Sequence, residues 1–139
     1  MIAFRVAGIP APQGSKRAFR NKYTDRIQMI ESSKKVGPWR QNVAGEAARH
    51  LERPLTRKVK LTLAFSFLRP TSHLTGAGKL RKGAPAVPSP DLDKLIRSTL
   101  DGLTGIVIAD DKLVEEVWSW KQYGDWSGAE IMVTWRSDD

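Results

Sequence analysis

Four aspartates in the second half of the chain have the residue type and spacing for metal chemistry. Asp91 and Asp93 stand two residues apart directly after Pro90, and Asp110 and Asp111 stand side by side after a short apolar run. Carboxylates gathered within a few ångströms repel one another unless a divalent cation lies between them. The pattern predicts a site for Mg²⁺ or Mn²⁺, which would orient a water, lower its pKa and stabilise negative charge on a phosphodiester.

The backbone around the first pair decides whether both carboxylates point the same way. Residues two apart share a side in an extended chain but lie about 200° apart in a helix. Pro90 favours an extended backbone before it, so the pattern predicts Asp93 as a helix N-cap and Asp91 in the extended run. The simpler alternative is that Asp93 only caps the helix and Asp91 only complements its dipole. Neighbours in an extended chain face opposite sides, so one member of the second pair is expected to enter the site.

Composition limits the ligands available for such a site. The chain has no cysteine, so neither a disulfide framework nor thiolate ligation is available. His50 and His73 stand in unrelated contexts without partner spacing, and we expect both at the surface. The ligands are therefore expected to be carboxylate oxygens, which suit hard cations.

Charge is divided unequally along the 139 residues. Residues 1–90 contain 18 Lys and Arg against 4 Asp and Glu, whereas residues 91–139 contain 5 against 11, within a net charge of +8. A basic surface attracts phosphate but repels cations, so an acidic cluster beside it is the arrangement that a metal-dependent nuclease requires. The alternative is a domain whose oppositely charged halves neutralise each other across ordinary surface.

Hydrophobic periodicity predicts the elements that must position these residues. Strict alternation marks the clearest strand at 57–68, and a four-residue apolar stripe marks a helix at 38–52. The run 106–109 is expected to be a short strand that returns beside the second helix to its start. The remaining expected elements are strands at 2–9, 113–123 and 129–136, a helix at 95–103, and a basic loop or loose hairpin at 12–35 with its turn at Asn21 and Lys22.

This order indicates a single α/β domain over residues 1–139, with one mixed β-sheet packed with two main helices. The Gly- and Pro-rich stretch 69–90 is expected to be a mobile basic loop. No stretch approaches the roughly 18 apolar residues of a membrane span, and the first residues lack the order of a secretory signal. We therefore expect a cytoplasmic protein without a membrane partner.

Two segments together resemble the signature of the RusA family of phage and bacterial Holliday-junction resolvases. They are PDLDKLIRSTLDGL, which begins at Pro90, and IADDKLVEE, which contains Asp110 and Asp111; the upstream PAPQGSKR is also similar to a basic loop of that family. The resemblance runs from about residue 2 to about residue 122. It implies a homodimeric α/β endonuclease that uses Mg²⁺ or Mn²⁺ to nick symmetrically paired strands of a four-way DNA junction.

The resemblance also assigns roles by position. Asp91 and Asp93 would be metal ligands, and Asp111 the third essential carboxylate, with Asp110 as its neighbour. The family pattern has a catalytic lysine where this chain has Arg97, which stays charged at neutral pH and is restricted to clamping phosphate or the leaving oxygen. Lys94, on nearly the same helix face, is the candidate to take over part of the lysine's function.

The remaining candidates concern DNA and the dimer. Trp118 and Trp120 share one strand face and are a candidate dimer contact. Asp101 is expected to pair with Arg97 one helical turn away rather than to bind metal. The residues expected to contact DNA are Lys16, Arg17 and Arg20 near the N-terminus, and Lys79, Arg81 and Lys82 in the predicted loop.

Two other functions remain open at this point. The chain would be a non-catalytic branched-nucleic-acid-binding protein if Arg97 marks a loss of activity. It would be a metal nuclease of another specificity if its substrates are flaps or RNA.

Overall fold

The structure is a computed structural model that describes residues 1–14, 16–20, 27–31 and 34–136, the two short ranges by their backbone alone. Two 3₁₀ turns, Thr71–His73 and Asp111–Leu113, accompany the main elements. In chain order, these are β1 (Ile2–Ala7), β2 (Lys16–Arg20), β3 (Ile27–Glu31), α1 (Val36–Ala47), β4 (Val59–Leu68), α2 (Leu92–Leu103), β5 (Val114–Gly124) and β6 (Gly128–Thr134).

Four strands form one mixed sheet in the order β1, β6, β4, β5. Strand β6 is antiparallel to both of its neighbours, whereas β4 and β5 are parallel and are connected through α2. Strands β2 and β3 form a separate antiparallel pair, as the predicted hairpin requires; the predicted turn at Asn21 and Lys22 lies outside the described residues. The expected α/β fold with one mixed main sheet and two helices is confirmed.

The core lies between one face of this sheet and the two helices. Alternation along β4 buries Leu61, Leu63 and Phe65, as the sequence pattern predicts for a strand with one covered face. Trp39 of α1 is buried, and its indole N–H donates to the hydroxyl of buried Thr99 of α2 at 3.1 Å. This hydrogen bond satisfies the polar atom of the largest core side chain and fixes α1 against α2.

The opposite face of the sheet is left open by the residues that the structure describes. Trp118 and Trp120 of β5 are 64% and 45% exposed, and Met132 of β6 is also exposed. A groove of about 350 Å³ runs over this face, bounded by Trp120, Met132, Arg5 and Glu130 among others. The predicted shared strand face of the two tryptophans therefore exists and is open.

The sequence-based predictions are wrong for the end of α1, for the run 106–109 and for the start of α2. Helix α1 ends at Ala47 instead of residue 52, because the chain tightens into turns in which Arg49 and His50 donate to the carbonyls of Glu46 and Ala47. Residues 106–109 are not a strand that returns along α2. Val107 and Ile108 instead turn into the core, and the run pairs with Leu55, whose N–H donates to the Val107 carbonyl at 2.7 Å. Helix α2 begins at Leu92 instead of residue 95.

Candidate functional site

The start of α2 is built around Asp91. Asp91 is the N-cap, with extended backbone angles of −65° and 129°, and its carbonyl accepts the first helical hydrogen bond from Leu95 N–H at 3.0 Å. The prediction that Asp93 caps the helix is therefore wrong: Asp93 lies in the first turn, because the extended run after Pro90 ends one residue after the proline. Both carboxylates are exposed at this helix start.

The side chain of Asp91 does not make the hydrogen bond to the helix that is usual for an N-cap aspartate. It accepts no capping hydrogen bond from the helix, although such a bond commonly stabilises by about 1 kcal/mol. One of its carboxylate oxygens instead lies 3.5 Å from the ammonium of Lys94, and 65% of the side chain is exposed. The arrangement leaves carboxylate oxygens available to a ligand, with a cation already beside them.

Lys94 and Arg97 lie on the same helix as these carboxylates. The backbone of Lys94 accepts a hydrogen bond from Gln13 N–H at 3.0 Å, and its side chain is half-buried. Arg97 is exposed, and the expected ion pair between Arg97 and Asp101 is not present in the structure. Arg97 is therefore not held by the carboxylate that was predicted to orient it.

The segment after β1 runs along the first half of α2. Ser98, which is fully buried, donates to the Ala11 carbonyl at 2.6 Å, and Gln13 N–H donates to Lys94 one turn nearer the helix start. Strand β2 begins at Lys16, three residues after Gln13. The backbone that carries Lys16, Arg17 and Arg20 therefore starts beside the acidic end of α2, whereas their side chains lie outside what the structure describes.

Sequence reasoning missed Lys121. This lysine of β5 donates from its ammonium to the carbonyl of Pro90 at 2.7 Å, directly before Asp91. The signal was available in the alternation of β5, where Ser119, Lys121 and Tyr123 occupy the half-buried positions between exposed ones. A lysine on the covered side of a strand needs a polar partner for its ammonium, so this position predicts a hydrogen bond to a neighbouring element.

The second acidic pair forms a turn before β5. Asp110 caps the turn Asp111–Leu113, and its carboxylate accepts a hydrogen bond from Lys112 N–H at 3.0 Å. This bond, together with the positive charge of Lys112, holds the pKa of Asp110 below its ordinary value. Asp111 is exposed. Asp110 therefore has a structural role, and Asp111 is the member with the freer carboxylate.

The two acidic groups lie at opposite ends of β5. Pro90 is bonded to Lys121 near the end of the strand, whereas Asp110 and Asp111 precede its first residue, Val114. The seven steps from Val114 to Lys121 span about 23 Å at the usual strand rise, which one lysine side chain does not bridge. Within a single chain, the structure does not bring the second pair to the start of α2, contrary to what the predicted return of 106–109 required.

The carboxylates offer the right atoms for a hard cation but not a completed cage. Among the described residues, no group of three or more Asp, Glu, His or Cys side chains is placed to hold a metal ion. Magnesium commonly uses one or two protein carboxylates and keeps waters or substrate phosphate as its other ligands. The exposed pair Asp91 and Asp93 fits this mode of binding by the chemistry of its donors, and a third carboxylate has to come from elsewhere.

The predicted basic loop lies near the same end of the molecule as Asp91. Arg69 donates to the Pro85 carbonyl at 2.8 Å and its guanidinium lies 4.2 Å from the ring centre of Tyr123, near the end of β5. Beyond the 3₁₀ turn, Leu74 forms an isolated bridge with Leu80, and backbone hydrogen bonds run from Thr75 N–H to Lys79 at 2.7 Å and from Arg81 N–H to His73 at 2.8 Å. Its mobility stays a prediction. Its candidate DNA-binding residues, Lys79, Arg81 and Lys82, are all exposed.

Comparison with known protein families gives a match that spans most of the chain. A family model described as endodeoxyribonuclease RusA matches residues 8–134 of the 139 residues. No curated protein sequence matches the chain. Among the described residues, no helix is both long and apolar enough to cross a membrane.

Proposed function

This chain belongs to the RusA endodeoxyribonuclease family, and from that membership we propose that it resolves four-way DNA junctions by divalent-metal-assisted hydrolysis of phosphodiester bonds. The observation that carries the proposal is the Asp91 carboxylate, which stands at a helix start without capping it. The setting would be the cytoplasm of a bacterium, with the gene belonging to the host or to a phage.

The residues at the start of α2 have distinct roles in this proposal. Asp91 and Asp93 hold Mg²⁺ or Mn²⁺, with Asp111 as the third carboxylate and Asp110 shaping the turn that presents it. The bound cation supplies an activated water and neutralises charge on the phosphate. Lys94 and Arg97 bind phosphate oxygens; Arg97 acts by charge and hydrogen bonding alone, because a guanidinium does not give up its proton at neutral pH.

A second copy of the chain supplies the missing carboxylate in this proposal. The two acidic groups lie at opposite ends of β5, so Asp111 of one copy is needed to complete the site begun by Asp91 and Asp93 of another. A homodimer with two such sites also matches a substrate whose two cut strands are related by symmetry. The open sheet face with Trp118 and Trp120 is the candidate contact, since aromatic residues are enriched at interfaces.

Basic residues on both sides of the site would hold the DNA backbone. Strand β2 begins beside α2, and the exposed loop residues lie near the same end of β5 as Asp91. Phosphate contacts of this kind position a nucleic acid without reading its sequence. We propose Lys16, Arg17, Arg20, Lys79, Arg81 and Lys82 as these contacts.

A non-catalytic junction-binding protein is the second candidate. Two observations favour this function. Arg97 stands where the family pattern has a lysine, and no group of three carboxylates is placed to hold a metal ion among the described residues. Binding without cleavage in the presence of Mg²⁺ and Mn²⁺ would establish this function.

Cleavage of labelled synthetic DNA tests the proposal. Wild-type protein with Mg²⁺ or Mn²⁺ should place paired nicks in a four-way junction, and Asp93→Asn should bind the junction without cutting it. Linear duplex, a flap and an RNA duplex serve as parallel substrates. The proposed function would be contradicted if linear duplex were cut as well as the junction, or if the flap or RNA were cut better. Full activity of Asp93→Asn would contradict the proposed metal site.

A further inference from the structure

Lys121 is a half-buried cation without a carboxylate partner among the described residues. It lies on the helix-facing side of β5, opposite Phe65 of β4. A charged group in such a place is costly to bury unless its hydrogen bonds are satisfied. Its ammonium donates to a backbone carbonyl, that of Pro90, at 2.7 Å. The half-buried charge of Lys121 therefore holds a single peptide group in place.

That peptide group sets the position of Asp91. The Pro90 carbonyl belongs to the peptide bond that leads into Asp91, and the Asp91 carbonyl is held in turn by Leu95 N–H at 3.0 Å. The backbone of Asp91 is thus fixed on both sides, by β5 and by the first turn of α2. Its side chain stays 65% exposed, and its partner among the described residues is the Lys94 ammonium. A fixed backbone with an available carboxylate is what a preorganised ligand requires.

We propose that Lys121 is a positioning residue for Asp91, which acts on the metal site through the Pro90 carbonyl; this rests on the proposed function. Lys121 ties the end of the strand pair to the start of α2, so the Asp91 carboxylate presents its oxygens in one orientation. Groups that orient metal ligands from behind commonly change metal affinity by about 10- to 100-fold when removed. Lys121 has no contact with the carboxylate itself and acts through the backbone.

Three variants at this position separate charge from hydrogen bonding. Lys121→Met removes both, Lys121→Gln keeps a neutral donor, and Lys121→Arg keeps both. Arg49→Met is the control, because Arg49 is an exposed cation just after α1 that pairs with Glu46 at 3.5 Å, outside the open sheet face and the start of α2, and its loss removes the same single charge.

Mn²⁺ titration by calorimetry, junction cleavage and hydrogen exchange provide the readouts. Lys121→Met should weaken Mn²⁺ binding by about 10-fold or more and speed amide exchange at the start of α2. It should also lower kcat, while its affinity for the junction stays equal to that of Arg49→Met. Lys121→Arg should restore metal binding and kcat. Wild-type Mn²⁺ affinity in Lys121→Met, or a loss confined to junction affinity, would overturn the proposal.

The design also distinguishes this proposal from the proposed function. Failure of wild-type protein and Arg49→Met to bind Mn²⁺ through Asp91 would remove the metal-site function and this inference with it. Normal metal binding and cleavage by wild type, unchanged in Lys121→Met, would remove the inference alone. Unchanged amide exchange in Lys121→Met would likewise overturn the backbone tether, whatever the metal result.

Discussion

Gly102 of α2 lies directly against Val43 of α1. A Cβ atom placed on Gly102 would come within 2.9 Å of the Val43 Cβ and Cγ1 atoms and 3.0 Å of the Arg40 carbonyl oxygen. Both residues are buried, and these neighbours are backbone or rigid branched atoms that have no flexible end to move aside. The close approach of the two helices therefore depends on a missing side chain.

Replacing Gly102 with alanine is expected to destabilise the fold. A helical glycine normally costs about 0.5–1 kcal/mol relative to alanine, but overpacking typically costs about 1–3 kcal/mol, so the net loss should be on the order of 1 kcal/mol. Chemical denaturation measures it. Gly45→Ala is the control: apart from the backbone of its own helix, no atom of the described residues lies within 4 Å of its added Cβ, so it should gain stability. A stability gain in Gly102→Ala would contradict the packing described.

Glu116 provides a pH-dependent prediction. Its carboxylate accepts hydrogen bonds from the Trp118 indole and from Lys60, and these partners lower the pKa of Glu116. Since the folded-state pKa is lowered, the resulting stability is present above the ordinary glutamate value and is lost as pH falls through the lowered one. Trp118→Phe should raise the Glu116 pKa in an NMR titration. The difference in free energy of unfolding between wild-type protein and Trp118→Phe should become smaller at acid pH, where Glu116 is protonated in both.

Trp120→Phe is the control for this titration, because it removes a neighbouring indole on the same open strand face. It should leave the Glu116 pKa where it is in wild-type protein. An unchanged Glu116 pKa in Trp118→Phe would show that the indole hydrogen bond is not its main cause.

The basic loop should contribute to DNA affinity through phosphate contacts. Each such contact adds about one unit to the slope of log affinity against log salt, so replacing Lys79, Arg81 and Lys82 with alanine should lower that slope by up to about 3. Fluorescence anisotropy on a junction across a salt series measures it. Replacing Arg49 and Lys58, two exposed cations outside the loop, tests the alternative that any lost charge has this effect. An equal change of slope for each charge removed would contradict a specific role of the loop.

The open sheet face should carry the dimer contact. Trp118→Lys places a charge in this apolar surface, and a stable interface commonly buries about 800 Å² on each partner. We expect the variant to shift sedimentation from dimer to monomer, with cleavage lost in parallel. If Trp118→Lys remains dimeric, this face is not the dimer contact. If wild-type protein is monomeric at all concentrations, the proposed dimer does not exist.

The main strands and the start of the site were predictable because their signals are local. Alternation placed β4, and the proline with its two aspartates placed a helix start within a residue or two. The position of Asp111 relative to Asp91 was not predictable from the sequence. The apolar run before Asp111 has the composition of a strand, but it turns into the core and pairs with Leu55. Lys121 was missed because its partner is a backbone carbonyl, which no side-chain motif reveals.

Mixing two inactive variants tests the central claim most directly. If Asp93 of one copy and Asp111 of another form one site, Asp93→Asn and Asp111→Asn should each fail to cut a four-way junction. Their mixed dimer contains one intact site and should nick one strand. A mixture as inactive as its components, although both variants dimerise and bind the junction, would contradict the shared site; cutting by either variant alone would contradict the role of its carboxylate.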